Sequence, residues 1–205
     1  MRLFVFARHA ESDANVAQVL SSDPSHPTAL TARGRAQARK LGSQIANLEI
    51  DLAFCTRFLR TRQTVELALH DRCVPLLVEP GLDEVQAGVF DGGPIRAYWA
   101  WKEQHAPGER FPEGESLDEA VRRYVDSLRR LLARTEAVTL IVAHELALRY
   151  IATAAAESAS PGRPGSGIAN AVPYLFDERA LRRAAECLDA LAQPAPLELQ
   201  HADAA

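Results

Sequence analysis

The chain predicts an α/β fold, a three-layer sandwich in which helices flank a largely parallel central sheet. Three observations carry that prediction. Residues 3–7 and Val138–Ala143 are short, unbroken apolar runs, the pattern of strands covered on both faces. Between them, apolar residues recur at helical spacing. Strand-like and helix-like segments alternate along the chain, and such crossovers produce parallel neighbours.

The strands are residues 3–7, Leu52–Cys55, 74–78, Val138–Ala143 and 172–176. Ala38, Leu41, Ile45 and Leu48 place one apolar stripe on a first helix, and Phe58, Val65 and Leu69 do so on a second. Pro94 opens a further helix that carries Tyr98, Trp99 and Trp101. Leu117, Val121, Tyr124, Leu128 and Leu131 define the longest helix, and Ser116 with Glu119 forms a capping box at its start. A helix over 145–156 follows the fourth strand, and Asp177 caps a last helix that runs to about Leu191. Residues 158–167, rich in Ser, Pro and Gly, form a loop. One domain spans 1–192, and 193–205, with two prolines and no periodicity, is a flexible tail.

Composition narrows the function. A net charge of −4 excludes the broad basic surface that nucleic-acid binding requires, so an anionic ligand must meet a local basic pocket. No apolar run approaches membrane-spanning length, and the first apolar run is too short for a signal peptide. Cys55, Cys73 and Cys187 are odd in number and lack Cys-x-x-Cys spacing, which suits a reducing cytoplasm and no zinc site.

In a parallel α/β sheet the functional groups gather at the carboxyl ends of the strands. His9 follows the first strand, Arg60 the second and His144 the fourth, so residues remote in sequence converge on one edge. A neutral imidazole there can attack phosphorus, and arginines suit the phosphoryl oxygens. Arg8, Arg60 and a protonated His144 would supply positive charge without a metal, and Glu84 would protonate the leaving alkoxide. Asp83 is the alternative acid. Other chemistries fail on spacing. Four residues separate Cys55 from Arg60 where a cysteine phosphatase needs five, His144-Glu145-Leu146-Ala147-Leu148 lacks the second histidine of a zinc-protease helix, and there is no glycine-rich loop with a lysine.

These motifs resemble those of the histidine phosphatase superfamily, also called the phosphoglycerate mutase-like family, in one consistent order over residues 1–176. Arg8-His9-Ala10-Glu11-Ser12 resembles its Arg-His-Gly-Glu-Ser/Thr signature, and Leu30-Thr31-Ala32-Arg33-Gly34-Arg35-Ala36-Gln37-Ala38 its Leu-Thr-x-x-Gly-x-x-Gln-Ala helix start. Thr56-Arg57-Phe58-Leu59-Arg60-Thr61-Arg62-Gln63-Thr64 is similar to its second arginine motif. Leu82-x-Glu84 with Gly88 and Gly92 is similar to the proton-donor loop, Pro112-Glu113-Gly114-Glu115-Ser116 to Pro-Gly-Gly-Glu-Ser, and Val142-Ala143-His144 to the strand ending on the second histidine. Ala10 stands where the family has Gly, Arg57 where it has Pro, and Glu145 where many members have Gly.

The resemblance implies a cytoplasmic, metal-independent phosphomonoester hydrolase of the histidine acid-type, needing no cofactor and acting on a small phosphorylated substrate. It implies His9 as nucleophile, Arg8, Arg60 and His144 as phosphoryl ligands assisted by Asn15, and Glu84 as acid and then base. A mutase using the same residues, or an idle member that binds phosphorylated ligands, is the alternative. No long mutase-type insert is evident, which favours the phosphatase. Glu11 is expected to accept structural hydrogen bonds. Arg57 and Arg62 are expected to be solvated helix charges, and His26, His70, His105 and His201 surface residues. Tyr98, Trp99 and Trp101 either pack or shape the substrate mouth. Glu145 is expected to point away from the pocket and interact with the helix dipole, the other reading placing it on the pocket wall.

Overall fold

Alternate residues of the first strand face opposite layers, which is why its sequence is apolar from Leu3 to Ala7. The computed structural model describes residues 2–156 and 167–192. The predicted tail and, Gly167 apart, the predicted loop 158–167 lie outside the described residues, as does His201. Strands β1 (Leu3–Arg8), β2 (Leu52–Cys55), β3 (Leu76–Val78), β4 (Val138–Ala143) and β5 (Pro173–Asp177) form one sheet in the order β3-β2-β4-β1-β5. The pairs β1–β4, β2–β4 and β2–β3 are parallel, and β5 runs antiparallel to β1. The third strand starts two residues later than expected. Pro75 cannot donate to a ladder, although its carbonyl still accepts from Ala53 N at 2.9 Å.

The helices are α1 (Asp13–Ala17), α2 (Ala32–Gln44), α3 (Leu59–Ala68), α4 (Ile95–Gln104), α5 (Leu117–Leu132), α6 (Glu145–Ala155) and α7 (Glu178–Leu191). Phe4 and Phe6 of β1 pack with Tyr124, Leu128, Ile151 and Leu188 of α5, α6 and α7 on one face. Val5 and Ala7 pack with Leu41 and Val65 of α2 and α3 on the other. The predicted caps form. Ser116 Oγ accepts from Glu119 N at 3.1 Å while Ser116 N donates to Glu119 Oε2 at 2.8 Å, and Asp177 Oδ1 accepts from Ala180 N at 2.7 Å. The single-turn helix α1 was not legible, since five residues carry no measurable period.

The register sets the site. Arg8 lies opposite Ala143, so His9 and His144 leave neighbouring strands at the same level, and His9 N donates to Ala143 O at 2.9 Å. The segment after β1 is braced from α2 and α3: Glu11 N donates to Gln37 Oε1 and Ala10 N to Thr64 Oγ1. Gly34 is required where α2 meets this segment, because a Cβ there would lie 1.9 Å from Glu11 O. Gly34→Ala must therefore push α2 away from the turn that carries His9. We expect it to lower the urea midpoint by a stability loss of about 1–3 kcal/mol, the usual cost of overpacking. An unchanged midpoint in equilibrium unfolding would show that the contact relaxes freely.

Candidate active site

The cleft at the carboxyl ends of β1 and β4 holds about 590 Å³ of atom-free space, part of it open to solvent. Arg8, His9, Asn15, Arg60 and Glu84 all line it. His144 does not line the cleft. It is fully buried and meets the site through Arg60 and Glu84.

The hydrogen bonds of His9 set its tautomer. Its Nδ1 lies 2.8 Å from Ala10 O, so Nδ1 carries the proton and donates. Nε2 then keeps its lone pair and accepts from Arg60 Nε at 3.1 Å. Burial, with Arg60 and Arg8 nearby, holds the ring's pKa well below the ordinary imidazole value. A neutral, oriented imidazole of this kind is what nucleophilic attack requires.

His144 is the mirror case. Its Nε2 lies 2.9 Å from Thr56 Oγ1, and its Nδ1 accepts from an Arg60 terminal nitrogen at 3.2 Å. Burial and the Arg60 charge push its pKa well down too, so this ring is neutral and not the protonated group expected from the sequence. A phosphate dianion is the charge that could reverse that balance.

Arg60 lies in the first turn of α3, stacked over Phe58 at 4.3 Å. Besides the two histidines it donates to Ser21 Oγ and Ser21 O, each at 2.9 Å. Burial lowers its pKa to about 10, which leaves it charged at neutral pH. Arg8 donates to Ile168 O at 2.8 Å and pairs with Glu145 Oε2 at 2.8 Å. Among the described residues its Nε is a buried donor without a partner. Asn15 Oδ1 accepts from Ser12 N at 3.0 Å, which leaves its NH2 group for the cleft.

Glu84 and Asp83 have different surroundings. Glu84 faces the cleft with Oε2 at 3.9 Å from His144 Nδ1, and burial raises its pKa despite the opposing Arg60. Burial raises Asp83 as well, but its carboxylate accepts from Arg57 N and Arg57 Nε and does not line the cleft. Arg57 is exposed, as expected, but it is not a helix charge and it is paired with Asp83. It precedes the helix, and its amide and guanidinium both donate to one carboxylate. Arg62, by contrast, is exposed beside Glu66 at 2.9 Å.

Sequence reasoning missed Arg123. From α5 it donates to the carbonyls of Gly81, Asp83 and Glu84 at 3.0, 2.8 and 3.0 Å and pairs with Glu115 at 2.6 Å. Glu115 in turn accepts from Gln86 N at 2.9 Å, so the two residues fix the loop that carries Glu84 from both sides. Its sequence signal is one more charged position between the buried residues of an amphipathic helix.

The aromatic segment splits between the two expected roles. Tyr98 and Trp99 line the cleft, whereas Trp101 packs on Phe111 at 4.4 Å and stacks on His105 at 3.9 Å. Glu145 overturns its expectation. It is in the first turn of α6, yet its side chain lies on the cleft wall between Arg8 and Arg149, because those two cations attract it more than a dipole can. Glu11 behaves as expected, accepting from Thr31 Oγ1 at 2.7 Å.

His26 is exposed but engaged, with Nδ1 2.9 Å from Asp91 Oδ2. Among the described residues, Asp23, His26 and Asp91 bring ligand-type atoms within 4.8 Å of one another. Asp91 Oδ1 is already occupied by Ser22 N, Ser22 Oγ and Asp23 N, so the group holds the segment next to Ser21, the partner of Arg60.

Residues 4–172 match the family described as histidine phosphatase superfamily (branch 1). The adenosylcobalamin/alpha-ribazole phosphatase of Escherichia coli (strain K12) is 38% identical over 91 residues, 44% of this chain and 43% of that protein. The chain thus matches less than half the length of that relative. A protein of Erwinia tasmaniensis named "Probable phosphoglycerate mutase GpmB" is 30% identical over 69% of this chain and 68% of its own. The crystal structure of the alpha-ribazole phosphatase from Shigella flexneri superimposes with a TM-score of 0.72 at 26% identity, covering 85% of this chain and 90% of that one.

The two neutral histidines make stability depend on pH. Their folded pKa values lie well below the ordinary 6.5, so below about pH 6.5 the unfolded chain binds protons that the folded chain refuses. Each ring then removes up to about 1.4 kcal/mol of stability per pH unit as pH falls. Glu84 has the opposite sign: its raised folded pKa costs stability as pH rises above the ordinary 4.5. At pH 6, long-range nitrogen–proton NMR should show His9 protonated only at Nδ1 and His144 only at Nε2. A doubly protonated ring at that pH would contradict this assignment.

Proposed function

Because the chain belongs to the histidine phosphatase superfamily (branch 1), we propose that it hydrolyses small phosphomonoesters through a phosphohistidine on His9. The observation that carries this reading is the orientation of the His9 ring, whose Nδ1 lies 2.8 Å from Ala10 O while Nε2 meets Arg60 in a cleft that Arg8 and Glu84 also line.

In the first step Nε2 attacks phosphorus and the ester P–O bond breaks. Arg60 and Arg8 turn their donors to the phosphoryl oxygens, Arg60 giving up its bond to Nε2. Burial keeps Glu84 protonated longer than a solvated carboxyl, so it can donate to the departing alkoxide. In the second step the Glu84 carboxylate takes a proton from water, water attacks the phosphohistidine, and the P–N electrons return to Nε2 as phosphate leaves. Asn15 assists in holding the phosphoryl group. Beyond the phosphoryl ligands the cleft is lined by Leu20, Ile95, Tyr98 and Trp99, apolar surface that a bare phosphate would not use, which supports a small organic ester. The described cysteines are all unpaired, which fits the cytoplasmic reading, and no described helix is long and apolar enough to cross a membrane.

Rapid quenching during turnover should yield an acid-labile, alkali-stable phosphoryl adduct on His9, and His9→Ala should lose both adduct and turnover. An adduct on Cys55 or a serine would overturn the mechanism. Glu84→Gln should slow alkyl phosphates about 10²–10⁴-fold more than an aryl phosphate whose leaving group needs little protonation. Equal slowing of both would remove Glu84 from the acid role. Transfer to an added phosphorylated acceptor, in place of free phosphate, would identify a mutase.

A further inference from the structure

The charges of the cleft do not stop at the phosphoryl ligands. Glu145 bridges two arginines, with Oε2 at 2.8 Å from Arg8 and Oε1 paired to Arg149 one helical turn on. All three side chains are largely shielded from water, so the pairing is less screened than a surface bridge. Arg149 also lies 5.9 Å from the Trp99 ring, on the wall that faces the body of any bound ester.

Charge matching then limits what that body can be. A phosphoryl dianion draws on Arg8 and Arg60, two cations for two negative charges. When Arg8 turns to phosphate, the Glu145 carboxylate keeps Arg149, so that cation is also neutralised. Lys102 lies beyond, its Nζ 4.6 Å over the Trp99 ring, and does not line the cleft. A second carboxylate or phosphate on the substrate would thus meet a fixed carboxylate and a cation already paired. A hydroxyl in the same place could donate to Glu145.

We propose that Glu145 is a specificity-determining residue that selects phosphomonoesters with an uncharged, hydroxyl-bearing body and rejects those carrying a second anionic group near the phosphate. The inference rests on the phosphatase reading above and goes beyond it by naming the substrate class. It uses a residue that departs from the family pattern.

Glycerol 1-phosphate and 3-phosphoglycerate form the matched pair, since they differ by a hydroxymethyl against a carboxylate. The ratio of their kcat/KM values should favour glycerol 1-phosphate in the wild type. In Glu145→Gln, which keeps the side-chain shape and frees Arg149, it should move about tenfold or more toward 3-phosphoglycerate, as relief of a like-charge juxtaposition requires. A ratio unchanged within about twofold, or moved the other way, would overturn the proposal. Calorimetric binding of the same two esters to His9→Ala and to His9→Ala/Glu145→Gln reads the same ratio without turnover. Should the wild type hydrolyse neither ester, the binding ratio still decides the role of Glu145, while the phosphatase reading falls on the adduct experiment. Thermal unfolding of each variant confirms that folded proteins are compared.

Discussion

The guanidinium of Arg60 is the contact on which the rest of the site depends. It is buried at the edge of the sheet, over Phe58, and reaches a ring nitrogen of each histidine. Its charge contributes to the neutrality of both rings and opposes the burial that raises Glu84. A buried cation is tolerable only when its donors find partners, and here the partners are the two histidines and Ser21. Substrate binding on this reading is an exchange, in which phosphoryl oxygens replace protein groups that hold the arginine.

Around that charge the scaffold is built of braces. Gln37 and Thr64 accept from the backbone of the segment that carries His9, and Gln63 Oε1 accepts from Leu30 N at 2.8 Å. Asn170 donates to His9 O at 2.7 Å from the far side. Arg123 and Glu115 do the same for the loop of Glu84. Much of what reads as a functional motif in the sequence is therefore support: of the second arginine motif, Arg60 faces the cleft while Gln63 and Thr64 hold backbone in place. Backbone groups at the end of a strand have lost their ladder, and side chains from neighbouring helices replace it.

The wall of the cleft formed by α4 and the start of α6 is aromatic and charged. Tyr98 and Trp99 offer apolar surface, and Glu145 and Arg149 set the charge beside it. The Arg8–Glu145 ion pair joins this wall to the strand end that carries His9, so on the proposed reading the binding of phosphate and the choice of substrate body are coupled there.

By itself the sequence determined the frame. Strands covered on both faces must be apolar at every position, so β1, β2 and β4 were legible as runs, and helices that cover a sheet must show a stripe, so α2, α3 and α5 were legible as periods. Capping at Ser116 and Asp177 is local chemistry and could be read directly. The ends of parallel strands then placed His9, His144 and Arg60 at one edge. Tertiary structure alone decided the charge states and directions of the side chains. The neutrality of His144, the turn of Glu145 into the cleft, the grip of Arg57 on Asp83 and the clamp of Arg123 each depend on partners far away in sequence. Electrostatic energy depends on distance and burial, and neither is written in the spacing of residues along a chain.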